Sequence, residues 1–124
     1  MDERCPCGTG LTDVECCAAL HAGGRAATAE ALMRSRFSAF ARGDAAYLLR
    51  SWHPTTRPAR LALDPDLRWY RLDVLRTDRG GLLDRDGVVE FRASYRAPDG
   101  PGSMHEVSRF TRHEGAWVYL DAAG

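Results

Sequence analysis

The stretch Val89-Glu90-Phe91-Arg92-Ala93-Ser94-Tyr95-Arg96 (residues 89–96) alternates apolar and polar side chains along its whole length. Successive side chains of a strand point to opposite faces, so this period predicts a strand with one buried and one solvated face. Tyr70, Leu72 and Val74 continue the same alternation earlier in the chain. Turn sequences rich in glycine and proline separate four such segments. We expect an antiparallel meander with strands at roughly 68–78, 87–97, 103–113 and 116–121.

The segment before the strands has a helical period instead. Thr28 precedes a run of apolar side chains at helix spacing, and Gly43 follows the last turn, which predicts the two ends of one helix. Asp44 is expected to cap a second helix that extends to Trp52. Residues 55–66 contain proline and are expected to add at most one short helical turn. Helices followed by strands predict an α+β fold.

Residues 1–24 differ from the rest because they contain all the cysteines and few large apolar side chains. Structural zinc sites hold the ion with four donors at the corners of a tetrahedron, and four thiolates provide such a set. The adjacent pair needs a specific local bend, which metal binding would select. The sequence therefore predicts a structural Zn²⁺ site with the ligands Cys5, Cys7, Cys16 and Cys17.

Other roles for these cysteines remain open. They include four independent buried thiols, a redox pair, and a disulfide between Cys16 and Cys17. His21 is an alternative ligand that would replace one cysteine.

The overall charge bears on the partners that this protein is expected to have. Seventeen arginines balance 17 acidic residues and there is no lysine, so the formal net charge is zero. This balance gives no bulk attraction to nucleic acid or to an anionic membrane, and neither is an expected partner. The sequence also lacks an apolar run typical of a secretory signal or a membrane span. We therefore expect a cytoplasmic protein, whose thiols stay reduced.

The motif Cys5-Pro6-Cys7-Gly8-Thr9-Gly10, completed by Cys16 and Cys17, resembles the SEC-C zinc motif, which also occurs at the end of the Sec preprotein translocase ATPase. Four further segments extend the resemblance, over nearly the whole chain, to the YchJ-like family of small bacterial proteins. These segments are residues 32–37, 52–54, 106–110 and 117–121. Asp13 and Glu15 depart from the lysines common in the motif, and Val107 replaces a common arginine.

The resemblance implies two parts, a SEC-C-type zinc-binding motif at 1–24 and a domain of the nuclear transport factor 2 type at 25–124. In such a cone-shaped domain a curved antiparallel sheet wraps around the N-terminal helices and leaves a pocket. Membership of the family implies no established reaction.

Arg36 is the most informative charged residue, because it lies between Leu32 and Phe40 inside the apolar arc of the first helix. A buried guanidinium needs a carboxylate partner. The candidate partners on the strands are Glu106, Asp73 and Glu90. One hypothesis is a polar pocket with an Arg36–Glu106 floor that binds a small anion or polar molecule. Its candidate walls are Trp52, His53, Trp69 and Tyr95.

Arg36 and His53 each have alternative roles. Arg36 would form a structural ion pair, or its head group would reach solvent along its apolar stem. Pro54 restricts the backbone of His53 and thereby fixes the position of its ring. The ring would then act as an acid or base near neutral pH, or it would cap the carbonyls at the end of the second helix.

Three functions are compatible with these features. The first is a zinc-stabilised binding or adaptor module, whose zinc motif meets a protein partner and whose cone holds a small ligand. Four thiolates leave no open position on the metal, which favours this function. The second is a small hydrolase or isomerase, with His53 or a strand carboxylate such as Glu106 as the base and Arg36 as the anion stabiliser. The third is nucleic-acid binding, which is weakened because the helix arginines do not form one stripe.

Overall fold

The computed structural model describes residues 24–123. Within these residues, two helices precede four strands, which pair antiparallel in the order β1-β2-β3-β4. This architecture confirms the α+β fold and the meander predicted from the sequence. The elements are α1 (Ala29–Arg42), α2 (Ala45–Arg50), β1 (Arg68–Arg79), β2 (Asp86–Ala97), β3 (Gly100–His113) and β4 (Ala116–Ala122).

Helix α1 begins and ends at the predicted residues. The Thr28 hydroxyl accepts a hydrogen bond of 3.1 Å from the backbone N–H of Ala31, as N-cap side chains do. Gly43 adopts a left-handed conformation, with φ of 73°, and its N–H bonds to carbonyls of the last turn. The apolar face of α1 packs on the concave side of the sheet. The main core comprises Ala29, Leu32, Met33, Phe37, Leu72, Val89, Phe91, Ala93, Phe110 and Trp117.

Helix α2 is shorter than predicted, because it ends at Arg50 and not at Trp52. The backbone on either side of Trp52 pairs with β4 instead. Tyr119 N–H donates to Ser51 O, and His53 N–H donates to Tyr119 O, both at 2.8 Å. The prediction that α2 extends to Trp52 is therefore wrong. The edge of β4 provides hydrogen-bond partners for the backbone groups that would otherwise have continued the helix.

The connection between α2 and β1 packs on the helices without forming regular structure. Residues 55–66, all of which the structure describes, form no helix, although Arg57 N–H donates to His53 O at 2.9 Å in a single turn, in keeping with the expectation of at most one short turn. Leu61 and Leu63 pack instead on a second apolar cluster of Ala39, Tyr47 and Leu48. This packing brings Leu61 to the rim of the concave face.

The sheet is bent where extra residues interrupt its pairing. The register between β1 and β2 shifts between Trp69 and Arg71 and again between Val74 and Arg76. Such bulges kink a strand and increase its twist, which curves the sheet around α1.

The first hairpin anchors the start of α1. Gly80 has a φ of 79°, and its carbonyl accepts a 2.9 Å hydrogen bond from Ala29 N–H. A Cβ atom on Gly87 would lie only 2.5 Å from Gly80 Cα. Glycine at both positions therefore allows helix and hairpin to approach closely.

The part of the chain from 24 to 123 contains no helix with the length and apolar character needed to span a bilayer.

Candidate ligand cavity

A cavity of about 280 Å³ lies between α1 and the concave face of the sheet. Most of its lining is aromatic or aliphatic, with a small polar region on one side. The lining residues are Met33, Arg36, Phe37, Phe40, Trp52, Leu61, Trp69, Phe91, Ala93, Met104, Glu106, Ser108 and Tyr119. Apolar walls with a few polar groups are typical of small-molecule sites.

Arg36 supplies a buried cation to this polar region. Its residue is only 3% exposed, and its Nη1 donates to Leu48 O at 2.8 Å and to Ser51 Oγ at 2.7 Å. Burial lowers the pKa of Arg36 to about 10, although Tyr119, Tyr47 and Glu106 oppose this shift. The guanidinium therefore remains charged at neutral pH.

Two aromatic rings flank the Arg36 guanidinium. Its Cζ lies 5.1 Å from the centre of the Trp52 ring and 4.7 Å from that of Tyr119. A cation over an aromatic face is attracted to the ring quadrupole. The Trp52 and Tyr119 rings also contact each other edge to face, with centroids 5.0 Å apart. These contacts hold the guanidinium in one orientation.

Several hydrogen-bond donors in this region have no acceptor. Both hydrogen bonds of Arg36 come from Nη1, so its Nε and Nη2 have no partner among residues 24–123. Trp52 Nε1 is likewise buried without a partner in the described chain. A buried donor without an acceptor costs about 1–3 kcal/mol. Of these donors, Nε and Nη2 of Arg36 are the ones that an acceptor bound in the cavity would satisfy.

Glu106 is the carboxylate that borders the cavity. Its Oε2 accepts hydrogen bonds from the Ser108 hydroxyl and, at 3.2 Å, from the Tyr119 hydroxyl. Burial, followed by the nearby Glu106 charge, raises the pKa of Tyr119 above its usual range. Tyr119 therefore stays protonated and acts as a donor.

The direct Arg36–Glu106 ion pair expected from the sequence is not formed between these two described residues. Arg36 points to the C-terminal end of α2, where the carbonyl of Leu48 lacks a helical partner and accepts its hydrogen bond. The alternative partners lie on the outer face of the sheet. Asp73 pairs with Arg71 there, and Glu90 pairs with Arg76 and His105.

Trp69 forms the opposite, aromatic wall. Its ring contacts those of Phe37 and Phe40, with centroids 6.5 and 6.1 Å away. Tyr95 supports Trp69 from behind, at 5.0 Å between centroids. It lies over Gly102, where a Cβ atom would come within 2.6 Å of the Tyr95 ring. Tyr95 therefore holds Trp69 in position but is not itself one of the described residues that line the cavity.

His53 also lies outside the described cavity lining. Its Nδ1 accepts a hydrogen bond of 3.1 Å from Thr55 N–H and lies 2.7 Å from the Thr55 hydroxyl. Its ring packs against that of His113, with centroids 5.0 Å apart. Because the chain after Ser51 turns onto β4, the imidazole is carried away from the concave face and does not cap the carbonyls of α2.

Of the six pocket residues predicted from the sequence, the structure brings together Arg36, Trp52, Trp69 and Glu106 in one cavity. Ser108 and Tyr119 also line the cavity but were not predicted from the sequence. The spacing of Glu106 and Ser108 was an available signal, because residues two apart on a strand share a face. Tyr119 gave no comparable signal, since its place beside Glu106 depends on the pairing of β3 with β4.

The predicted zinc ligands Cys5, Cys7, Cys16 and Cys17, and the alternative ligand His21, lie outside the described residues. Between residues 24 and 123, no group of three or more His, Cys, Asp and Glu side chains is arranged to hold a metal ion.

A helix packed into the concave face of a curved antiparallel sheet, with a second helix against the first and a cavity between helix and sheet, defines an NTF2-like domain. The family model described as the middle NTF2-like domain of YchJ matches residues 28–122. The chain belongs to the YchJ-like family, as the resemblance in its sequence indicated.

Relatives from several bacteria match nearly the whole chain. A UPF0225 protein of Streptomyces coelicolor is 58% identical over 118 residues, covering 94% of this chain and 92% of that protein. One from Corynebacterium efficiens is 54% identical over 119 residues, covering 95% and 91%.

Two solved structures are similar to this one. A SEC-C motif containing protein of Rhodopseudomonas palustris superposes with a TM-score of 0.83 at 32% identity, covering 100% of this chain and 98% of that one. A SEC-C motif containing protein of Psychrobacter arcticus gives a TM-score of 0.78 at 30% identity, covering 94% and 80%.

Proposed function

We propose that this protein is a cytoplasmic binding module that holds a small organic molecule in the cavity beside Arg36, and that its N-terminal cysteines bind a structural zinc ion. The buried guanidinium at the cavity wall carries the proposal. Its burial is costly, and neither its Nε nor its Nη2 has a hydrogen-bond acceptor among residues 24–123.

A purely structural role for Arg36 accounts for only part of this arrangement. Nη1 ties α1 to the end of α2, but that contact needs one nitrogen. The other donors of Arg36, at Nε and Nη2, gain nothing from the apolar walls around them. A bound molecule with an acceptor group would satisfy these donors and fill the space between the aromatic walls.

Binding is favoured over catalysis because the candidate base His53 lies outside the described lining. A hydrolase or isomerase would have to use Glu106 as its base, with Arg36 stabilising an anion. Two hydroxyl groups already donate to Glu106 Oε2. This oxygen is therefore engaged in holding the Glu106 side chain in place.

The chemistry of the four thiols supports the zinc site. Thiolates are soft donors that suit Zn²⁺, and four of them leave no position for water or substrate. Two solved neighbours described as SEC-C motif containing proteins support the same assignment. The metal would organise residues 1–24, which contain few large apolar side chains, and present a surface to a protein partner.

Ligand binding in the cavity can be tested with the methyl groups of Met33 and Met104, both of which line it. Full-length, zinc-loaded protein with ¹³C-labelled methionine methyls would be screened by NMR against a set of small acids, amines, zwitterions and neutral compounds. We expect a subset to shift both methyl signals and to raise the melting temperature.

The matched variants are Ala93→Met, which fills the cavity, and Leu83→Ala, at a residue that is 98% exposed. Binding should persist in Leu83→Ala and disappear in Ala93→Met. The proposal fails if no compound shifts the cavity methyls of the wild type. Should Ala93→Met not fold, contacts between compound and methyl protons in the wild type decide the same question.

A further inference from the structure

The charges around the cavity restrict the kind of molecule that it accepts. We infer that the ligand is a small zwitterion of the α-amino-acid type with an aromatic or branched apolar side chain, its carboxylate at Arg36 and its ammonium group at Glu106. This inference rests on the proposed ligand-binding function and specifies its ligand class.

The donor side of the polar region fits a carboxylate. Arg36 Nε and Nη2 have no acceptor among the described residues, and the guanidinium lies over the Trp52 ring. A planar guanidinium pairs with a carboxylate through two parallel hydrogen bonds. A single carboxylate would therefore accept hydrogen bonds from both Nε and Nη2 of Arg36.

The acceptor side fits an ammonium group. Glu106 Oε2 is occupied by Ser108 and Tyr119, but Oε1 has no partner within residues 24–123. Hydroxyl donors leave the negative charge of a carboxylate in place. A cationic donor would bind Oε1 and compensate that charge.

The sum of the charges argues against a simple acid or a simple amine. Arg36 and Glu106 together contribute no net charge to the cavity. An anion would place two negative charges beside one positive charge in a poorly solvated space, and a cation would do the reverse. A molecule with one charge of each sign meets both groups and keeps the cavity neutral.

The two charges border one aromatic ring. The Tyr119 ring lies beside the Arg36 guanidinium, with its centre 4.7 Å from Cζ, and its hydroxyl reaches Glu106 at 3.2 Å. Because Arg36 and Glu106 do not pair directly within the described chain, a ligand can bind between them. An α-amino acid, whose two charged groups are joined through one carbon, suits such a pair.

The remaining walls select the side chain of the ligand. Phe40, Trp69 and Phe91 provide aromatic surface, and Met33 and Met104 provide flexible aliphatic surface. The volume of about 280 Å³ is at the lower end of the range for small-molecule sites. One apolar amino acid fits this space better than a larger metabolite.

The experiment compares three probes that share one aromatic body. These are L-phenylalanine, 3-phenylpropanoate, which lacks the ammonium group, and 2-phenylethylamine, which lacks the carboxylate. Dissociation constants are measured by calorimetry on full-length, zinc-loaded protein. We expect L-phenylalanine to bind about tenfold tighter than either analogue, the effect of one charge-assisted hydrogen bond.

The Glu106→Gln variant supplies the matched control, because it keeps the shape and removes the charge. We expect it to prefer 3-phenylpropanoate over L-phenylalanine, since the cavity then carries a net positive charge. Circular dichroism establishes that the variant is folded. If it is not, the order of affinities of the three probes for the wild type decides.

The possible results separate the two proposals. The zwitterion inference is overturned if an analogue binds the wild type as tightly as L-phenylalanine does, or if folded Glu106→Gln retains the wild-type preference. It is also overturned if all three probes fail while other compounds shift the Met33 and Met104 methyls, in which case the ligand-binding function stands. If no compound shifts these methyls, both proposals fail.

Discussion

The guanidinium of Arg36 lies against the face of Tyr119, with 4.7 Å between Cζ and the centre of the ring. Tyr119 in turn donates a hydrogen bond to Glu106. The ring therefore connects a cation from helix α1 with a carboxylate from strand β3. This arrangement keeps two opposite charges apart in one cavity, where a direct ion pair would leave neither charge available to a ligand.

The Arg36→Met variant tests whether Arg36 serves binding more than stability. The substitution removes the hydrogen bonds from Arg36 to Leu48 O and Ser51 Oγ, but Ser51 Oγ still donates to Leu48 O. We therefore expect the free energy of unfolding in urea to fall by about 1–2 kcal/mol, and cavity binding to be lost. A loss of about 3 kcal/mol or more would show that Arg36 is mainly structural.

The Tyr119→Phe variant tests the protonation of Tyr119. Burial and the neighbouring Glu106 raise the pKa of Tyr119, so the folded chain keeps this proton above pH 10, where an unfolded tyrosine loses it. The stability contributed by Tyr119 is therefore complete below pH 10 and declines as the pH rises further.

The measurement is the free energy of unfolding of both proteins at a series of pH values on either side of 10. At neutral pH we expect the variant to be less stable by about 1 kcal/mol, because Glu106 loses a donor. Above pH 10 that difference should shrink. A difference that stays constant with pH would contradict the raised pKa.

The Gly87→Ala variant tests the close approach between hairpin and helix. Its Cβ atom would lie 2.5 Å from Gly80 Cα and 3.2 Å from the Ala29 side chain. Because backbone must move, we expect a loss of about 2–3 kcal/mol, measured by urea unfolding. Gly81→Ala is the control, since its Cβ atom would meet only Asp84 Oδ2, at 3.4 Å. Equal stability of the two variants would contradict the packing described.

The Arg112→Lys variant tests how the loop between β1 and β2 is held. Arg112 Nε donates to Asp84 O at 2.7 Å and Nη2 to Leu82 O at 2.8 Å, while the guanidinium lies over Trp117. An ammonium group cannot reproduce this planar set of donors. We expect a loss of about 1–2 kcal/mol and faster hydrogen exchange in the loop. Arg92→Lys, at an exposed position, should change neither quantity.

Removal of the predicted zinc ligands tests the metal site. We expect one zinc ion per chain by native mass spectrometry, and none after replacement of Cys16 and Cys17 by serine, because two thiolates of the set are lost. The same variant should lower the melting temperature. Protein purified under reducing conditions without bound metal would contradict the assignment.

The predicted helix ends and strands depended on local signals. Thr28, Asp44 and Gly43 act as the caps that their side chains or backbone freedom predict. The strands occur within a few residues of the predicted limits, because the alternation of apolar and polar residues reports directly on burial. The inward direction of Arg36 likewise follows from its position on the helix.

The partners of these residues were less predictable. Arg36 was expected to pair with Glu106, but the end of α2 supplies a carbonyl and a hydroxyl group instead. His53 was expected at the pocket, but pairing of the backbone around Trp52 with β4 turns it away. In neither case does a pattern within a few residues reveal the competing partner, because Leu48 and Ser51 lie 12 and 15 residues from Arg36 and the partner of the His53 backbone lies on β4.

The sequence alone determined the order of elements, their caps and the charge inside the apolar face of α1. These features depend on the period of side chains and on backbone preferences within a few residues. Only the tertiary structure decided which groups meet Arg36, where the second helix ends, and that Tyr119 separates the two cavity charges. Those outcomes depend on packing between segments distant in sequence, where competing hydrogen-bond partners can be compared only once the sheet has folded around the helix.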